Sequence, residues 1–188
     1  MAERAYPEAP EYTERTKHYY SFIKRYGFGK KYTKNKIVLD VPCGSGWGMS
    51  LIDNTAKIYG LDYSSDALTY GKEHFKGVYI RAVMDALPFR KDTFDIALCF
   101  EGLEHISKDQ GQAFLREIKS VVKKDCLIVG SVPILDRRGR DTGNPFHKFE
   151  YPEDYLKKTL QASFKVLKYI RKKGADGPLV YFVLKNVK

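Results

Sequence analysis

The chain has 188 residues, with 33 Lys plus Arg against 23 Asp plus Glu and a formal net charge of +10. At 43% hydrophobic and 30% charged residues, its composition is neither disordered nor membrane-embedded. No run approaches the roughly 18 apolar residues of a spanning helix, and the length suits one domain that needs no disulfide staple.

In chain order, residues 1–34 read as an N-terminal helical lid segment. Tyr12, Tyr19, Tyr20, Phe22, Ile23 and Tyr26 form its apolar side. The residues from 35 to 188 read as the main domain. A β-branched strand over Ile37 to Val41 comes first, followed by a helix over Trp47 to Asn54. A strand over Lys57 to Asp62 leads to a serine-capped helix over Ser64 to Phe75. Strands follow over Val78 to Val83 and Phe94 to Phe100. Apolar residues at helical spacing predict a helix over Gln110 to Lys123. A strand over Cys126 to Val132 precedes a helix over Pro152 to Leu160, with Pro in its first turn. Strands over Phe164 to Ile170 and Leu179 to Lys185 close the chain.

Strands alternating with helices predict an α/β fold, a Rossmann-like doubly wound sheet of seven strands. The link from Arg171 to Pro178 is too short for a parallel crossover, so the last strand is expected to be antiparallel.

The densest local signal is Val38-Leu39-Asp40-Val41-Pro42-Cys43-Gly44-Ser45-Gly46-Trp47-Gly48. A buried strand ends on an acid and enters a glycine turn, where bare backbone can meet a ligand. The spacing G-x-G-x-G departs from the dinucleotide pattern G-x-G-x-x-G. Asp40 is awkward beside a pyrophosphate and suits a ligand carrying positive charge. Asp62, 18 residues after Gly44, can accept ribose hydroxyls or cap the next helix. Asp85 follows the third strand, where it can accept from an adenine amino group.

The order VLDVPCGSGWG, IYGLDYSSDAL, MDALPFRKDTFDIALCFEGLEHI, SVP resembles the class I S-adenosylmethionine-dependent methyltransferases, in their small single-domain, type 11-like form. The resemblance covers roughly residues 15 to 188. It implies S-adenosyl-L-methionine as cofactor and the antiparallel last strand. By resemblance, Asp40, Cys43, Gly44 and Gly46 hold the methionine end, and Asp62 with Tyr63 holds the ribose. Asp85, Ala86 and Leu87 bracket the adenine, and Cys99, Phe100 and Glu101 line the sulfonium side.

On the substrate side stands E-x-x-E-H, made by Glu101, Glu104 and His105, with His147 in a later N-P-F-H segment. If the first motif is helical, its three members share a face. Three readings stay open. These residues hold loops; or His105 or His147 takes a proton from a hydroxyl or amine acceptor; or Glu101, Glu104, His105 and His147 bind a divalent metal. The last pattern resembles the small-RNA 3′-terminal 2′-O-methyltransferases, but small-molecule methyltransferases carry the same segments. We take His105, His147 and Glu104 as the catalytic set and assign no metal ligand.

Cys43, Cys99 and Cys126 read as small buried residues. Their sparse, unpaired count suits a reducing cytoplasm, and Met1 to Pro10 lacks the apolar stretch of a secretory signal. The basic excess suggests an acidic partner. Arg137, Arg138 and Arg140 are placed to grip an anionic substrate, while no nucleic-acid-binding module accompanies the charge. The expected function is methyl transfer to an oxygen or nitrogen of a small-molecule acceptor, with an anionic group as one option. The alternatives are a metal-dependent RNA 2′-O-methyltransferase and a non-catalytic S-adenosylmethionine-binding protein.

Overall fold

The computed structural model describes residues 5–14, 16–135, 139 and 142–188. Seven strands form one sheet: β1 (Ile37–Asp40), β2 (Lys57–Asp62), β3 (Val78–Arg81), β4 (Phe94–Phe100), β5 (Val122–Pro133), β6 (Lys165–Lys173) and β7 (Pro178–Lys185). Their order is β3-β2-β1-β4-β5-β7-β6. Only β7 runs antiparallel, against both β5 and β6. The other pairings are parallel. The expected architecture and antiparallel last strand are both present.

Among the described residues, four helices cover the sheet: α1 (Lys17–Lys30), α2 (Ser65–His74), α3 (Lys108–Val121) and α4 (Glu153–Ser163). One core holds Phe114 and Ile118 of α3 and Leu156 and Leu160 of α4 against Leu39, Ala97 and Val180 of the sheet. On the opposite face, Phe22 and Tyr26 of α1 pack with Trp47, Ile96, Leu98 and Val129. Burial on both faces explains the near-continuous apolar runs of β4 and β5. Within α1, Tyr20 departs from expectation: it is exposed, while its neighbours face the core.

The segment after β1 also departs. The expected helix over Trp47 to Asn54 is a single 3₁₀ turn, Gly48–Leu51. A Cβ on Gly48 would collide with the Tyr26 ring, so α1 packs directly on the bare backbone of this turn. Asp53 then accepts from the Thr55 amide at 2.9 Å, forming an Asx turn that ends the segment.

Element ends shift for local reasons. Ser107 caps α3 in a reciprocal capping box with Gln110, so the helix starts two residues before Gln110. Its far end closes where buried Asn186 donates to the Lys119 and Val122 carbonyls at 2.9 and 2.7 Å. Therefore β5 begins at Val122 rather than Cys126. Pro152 is the N-cap of α4, with Glu153 and Asp154 in the first turn. Cys43 and Cys99 are buried as expected, while Cys126 is only half-buried.

Candidate functional site

The parallel strands end together at one edge of the sheet, where open α/β folds bind ligands. There β1 delivers Asp40 and the glycine turn, β2 delivers Asp62, and β4 delivers Phe100 and Glu101.

Gly44 and Gly46 both adopt positive φ, +53° and +77°. At Gly46 an added Cβ would also collide with the Tyr79 phenol. Asp62 is buried and braces this turn. One oxygen accepts from the Gly44 amide at 2.9 Å, and the other from the Ser64 amide at 3.0 Å. Both sequence readings of Asp62 therefore meet in one side chain. It holds local backbone, and a carboxylate with about four lone-pair sites retains acceptor capacity for hydroxyls.

Asp40 is fully buried at the end of β1. One oxygen accepts from Tyr26 Oη at 3.1 Å. The other, Oδ1, has no hydrogen-bond partner. Burial raises the Asp40 pKa to about 8, against the opposing Tyr26 hydrogen bond and with help from the Asp62 charge. A buried carboxylate with a spare oxygen fits a cationic ligand group. The glycine cradle and this orphaned oxygen together fit S-adenosylmethionine, whose methionine end carries an ammonium and a sulfonium.

The adenine side is looser. Asp85 accepts from Gln110 Nε2 at 3.1 Å, and the Leu87 amide donates to Glu117 at 3.1 Å. Ala86 is exposed, as is Tyr63. Cys43, Gly44, Asp62, Phe100 and Glu101 line the same cavity as Glu104, His105 and His147. Asp40, Gly46, Tyr63, Asp85, Ala86, Leu87 and Cys99 are not among its described lining residues. The Cys99 thiol is pushed up by burial and by neighbouring Glu104, which disfavours its thiolate form.

E-x-x-E-H is not helical throughout. Glu101 takes a left-handed φ of +51°, and only Leu103–His105 forms a 3₁₀ turn. This break separates the two glutamates. Glu101 accepts from Ser131 Oγ at 2.6 Å and pairs with Arg25 of α1 at 3.2 Å. Burial alone would lower the Arg25 pKa, but Glu101 together with Tyr12, Tyr181 and Tyr26 outweighs it and holds the guanidinium above its ordinary value. Glu104, His105 and His147 instead converge, with one ligand atom of each within 4.8 Å of the others.

The His147 loop docks onto that turn by its backbone. The Lys148 and Phe149 amides donate to the Glu104 carbonyl at 2.8 and 3.2 Å. His147 Nδ1 lies 2.6 Å from Glu150 Oε1, which also accepts from the Thr142 amide. The sequence reading gave Glu150, Thr142, Ser131 and Arg25 no part in the site, and it placed Tyr26 only on the apolar side of the leading segment. Only the H-x-x-E spacing of His147 and Glu150 carried a readable hint. Arg137, Arg138 and Arg140, the expected substrate grip, lie outside the described residues.

The leading segment also reaches the site. Ser45 Oγ donates to the Ala5 carbonyl, and Ala5 and Tyr12 line the cavity. From α1, Lys17 and His18 meet Asp176 in the β6–β7 link at 3.2 and 3.6 Å. No described helix is long and apolar enough to cross a membrane.

A methyltransferase domain family matches residues 38–125. A Mycolicibacterium smegmatis protein named "Probable S-adenosylmethionine-dependent methyltransferase" is 33% identical over 135 residues, 69% of this chain and 52% of that protein. This chain spans about half the length of the curated relatives it matches. Among solved structures, a SAM-dependent methyltransferase from Methanosarcina mazei has a TM-score of 0.73 at 15% identity, covering 85% of this chain and 97% of its own. The [4+2]-cyclase SpnF has a TM-score of 0.77 at 15% identity, covering 100% of this chain and 87% of its own. A cyclase on the same frame shows that fold alone does not name the reaction. Residues 38–125 thus match a methyltransferase domain family, and the described residues take the fold of solved S-adenosylmethionine-dependent methyltransferases.

Proposed function

We propose that this protein is an S-adenosylmethionine-dependent methyltransferase acting on an oxygen or nitrogen of a small molecule. One observation carries the reading: a single cavity is lined both by the glycine turn with Asp62 and by Glu104, His105 and His147. The first set suits the cofactor, and the second suits the group that is methylated.

When bound, S-adenosylmethionine supplies a methyl carbon already activated by its sulfonium. The chain's work is then positioning and proton removal. Asp40 and the bare turn hold the charged methionine end. Asp62 accepts the ribose hydroxyls and keeps Gly44 in place. The Glu104–His105–His147 face receives the acceptor and takes its proton, with the imidazoles as the basic groups. Residues 1–34 act as a lid, with Ala5 and Tyr12 already at the cavity wall.

The test is incubation with S-adenosylmethionine and pools of alcohols, phenols, amines, carboxylates and short RNAs. S-adenosylhomocysteine release with a small-molecule pool supports the reading, and release only with RNA replaces the acceptor class. Calorimetry showing NAD binding and no S-adenosylmethionine binding overturns the cofactor assignment. Binding without turnover on any pool makes the protein a non-catalytic binder.

A further inference from the structure

The net charge of +10 is localised. Residues 17–36 hold seven Lys and Arg and no acid, and residues 165–173 hold five and no acid. The rest of the chain carries 21 Lys plus Arg against 23 Asp plus Glu, so the whole excess lies in these two segments. They are α1 with its exit toward β1, and β6, the strand at one edge of the sheet.

The fold sets the two segments side by side. Phe28 of α1 meets Tyr181 of β7 edge to face, with centroids 5.1 Å apart. Lys168 of β6 donates to Tyr32 Oη, just past α1, at 3.0 Å. At the other end, Lys17 of α1 meets Asp176, just past β6, at 3.2 Å. So α1 and β6 run antiparallel to one another, starting where His18 and Asp176 line the cavity. The strip is about 20 Å long, the span of a 14-residue helix.

Of its twelve cations, Lys17, Arg25 and Arg171 pair with Asp176, Glu101 and Glu153. The other nine are lysines; all are exposed, and none forms an ion pair among the described residues. Lys17, Lys24 and Lys31 recur every seven residues, and Tyr20 shares their face, three residues after the first and four before the second. Tyr20 is 51% exposed, and Leu167 of β6 is 46% exposed.

This chemistry selects among acidic partners. Both arginines are committed to carboxylates, so the free charge is lysine: point charges on flexible stems, without the planar fork that reads phosphates and bases. Single-stranded nucleic acid is held by successive aromatic platforms, and among the described rings of the strip only Tyr20 is exposed. Diffuse lysine charge with a tyrosine and a leucine among it matches a lipid surface instead. Lysine stems lie along apolar material while their ammonium groups meet acidic headgroups, and tyrosine rings sit at headgroup level.

We propose that the strip formed by α1 and β6 docks on an anionic lipid bilayer, as a peripheral contact. None of the nine lysines is among the cavity's described lining residues, so the surface is separate from the candidate site and stands without the methyl-transfer reading.

The test is co-sedimentation of the whole chain with vesicles of phosphatidylserine and phosphatidylcholine in equal parts. Binding is expected to these and not to pure phosphatidylcholine. It should disappear in about 1 M salt, where the screening length shrinks to about 3 Å. Lys24→Glu with Lys172→Glu should weaken binding by about 25-fold or more, at roughly fivefold per lysine. Lys72→Glu with Lys76→Glu changes the net charge equally beside β3, at the opposite edge of the sheet, and should leave binding nearly unchanged. Tyr20→Ser should weaken vesicle binding several-fold while keeping its salt dependence. Circular dichroism confirms that each variant is folded. No binding to the anionic vesicles, or equal losses in the two double variants, overturns the proposal. A labelled single-stranded RNA bound more tightly than the vesicles at the same salt, and released by the first double variant, assigns the strip to nucleic acid and overturns it as well. Calorimetry with S-adenosylmethionine is read separately, so either reading can fail without the other.

Discussion

The Tyr26 phenol donates to the Asp40 carboxylate at 3.1 Å, deep beneath the glycine turn. The donor sits on α1 and the acceptor at the tip of β1. The leading helix thereby reaches the residue assigned to the methionine end of the cofactor. Tyr26→Phe removes the donor and keeps the ring that fills the space beside Gly48. We expect weaker S-adenosylmethionine binding by roughly 1.5–3 kcal/mol, the size of a hydrogen bond to a charged group. Methylthioadenosine lacks the methionine end, so its affinity should not change. Equal losses for both ligands in calorimetry would refute the assignment.

Asp40 also sets a pH dependence. Burial holds its folded pKa at about 8, above the ordinary carboxylate value. Between those values the folded chain binds a proton that the unfolded chain has lost. Stability from this group therefore falls as pH rises through that window. A cationic ligand favours the ionised carboxylate, so cofactor binding should release a proton below pH 8. Affinity should climb by up to about tenfold per pH unit and level off above 8. Asp40→Asn should flatten both trends, as measured by calorimetry in buffers of different ionisation enthalpy.

Asp62 has a structural duty beyond the ligand. Asp62→Ala leaves the Gly44 and Ser64 amides without their acceptor. Chemical denaturation should show a loss of about 1–3 kcal/mol, together with loss of cofactor binding. Unchanged stability would mean that the turn holds itself.

Arg25 and Glu101 are both largely shielded, with side chains 13% and 25% exposed. Breaking a shielded pair from one side leaves a charge stranded. Arg25→Met should destabilise the fold by roughly 3–5 kcal/mol, and the double change Arg25→Met with Glu101→Gln should recover part of that loss. Purely additive losses in denaturant titrations would argue against coupling.

His105→Ala should leave cofactor affinity intact and cut turnover by roughly 10²–10⁴-fold. Loss of cofactor binding instead would place His105 on the wrong side of the cavity.

The seven-stranded sheet with its antiparallel last strand and the glycine turn were legible because they follow from alternation, strand-end acids and a short final hairpin. Distance in sequence hid the rest. Nothing near Gly48 announces that the Tyr26 ring lies against its bare backbone. Glu101 and Glu104 look equivalent in E-x-x-E-H, yet one left-handed residue sends Glu101 to Arg25 and leaves Glu104 with the histidines. The Ser107 start of α3 was readable from S-x-x-Q, had the cap been weighed above the apolar period. The contacts of Arg25 and Ser131 with Glu101 join three separate elements of the chain, and no local pattern encodes them.

The bond from Ser45 to the Ala5 carbonyl ties the fifth residue across the glycine turn. By contrast, Lys188 reaches Asp92 and the Ser120 carbonyl, where β4 begins and α3 ends, away from the ligand edge. A spectroscopic label at Lys188 therefore reports from the edge remote from the ligands, whereas one at Ala5 stands on the wall of the ligand cavity itself.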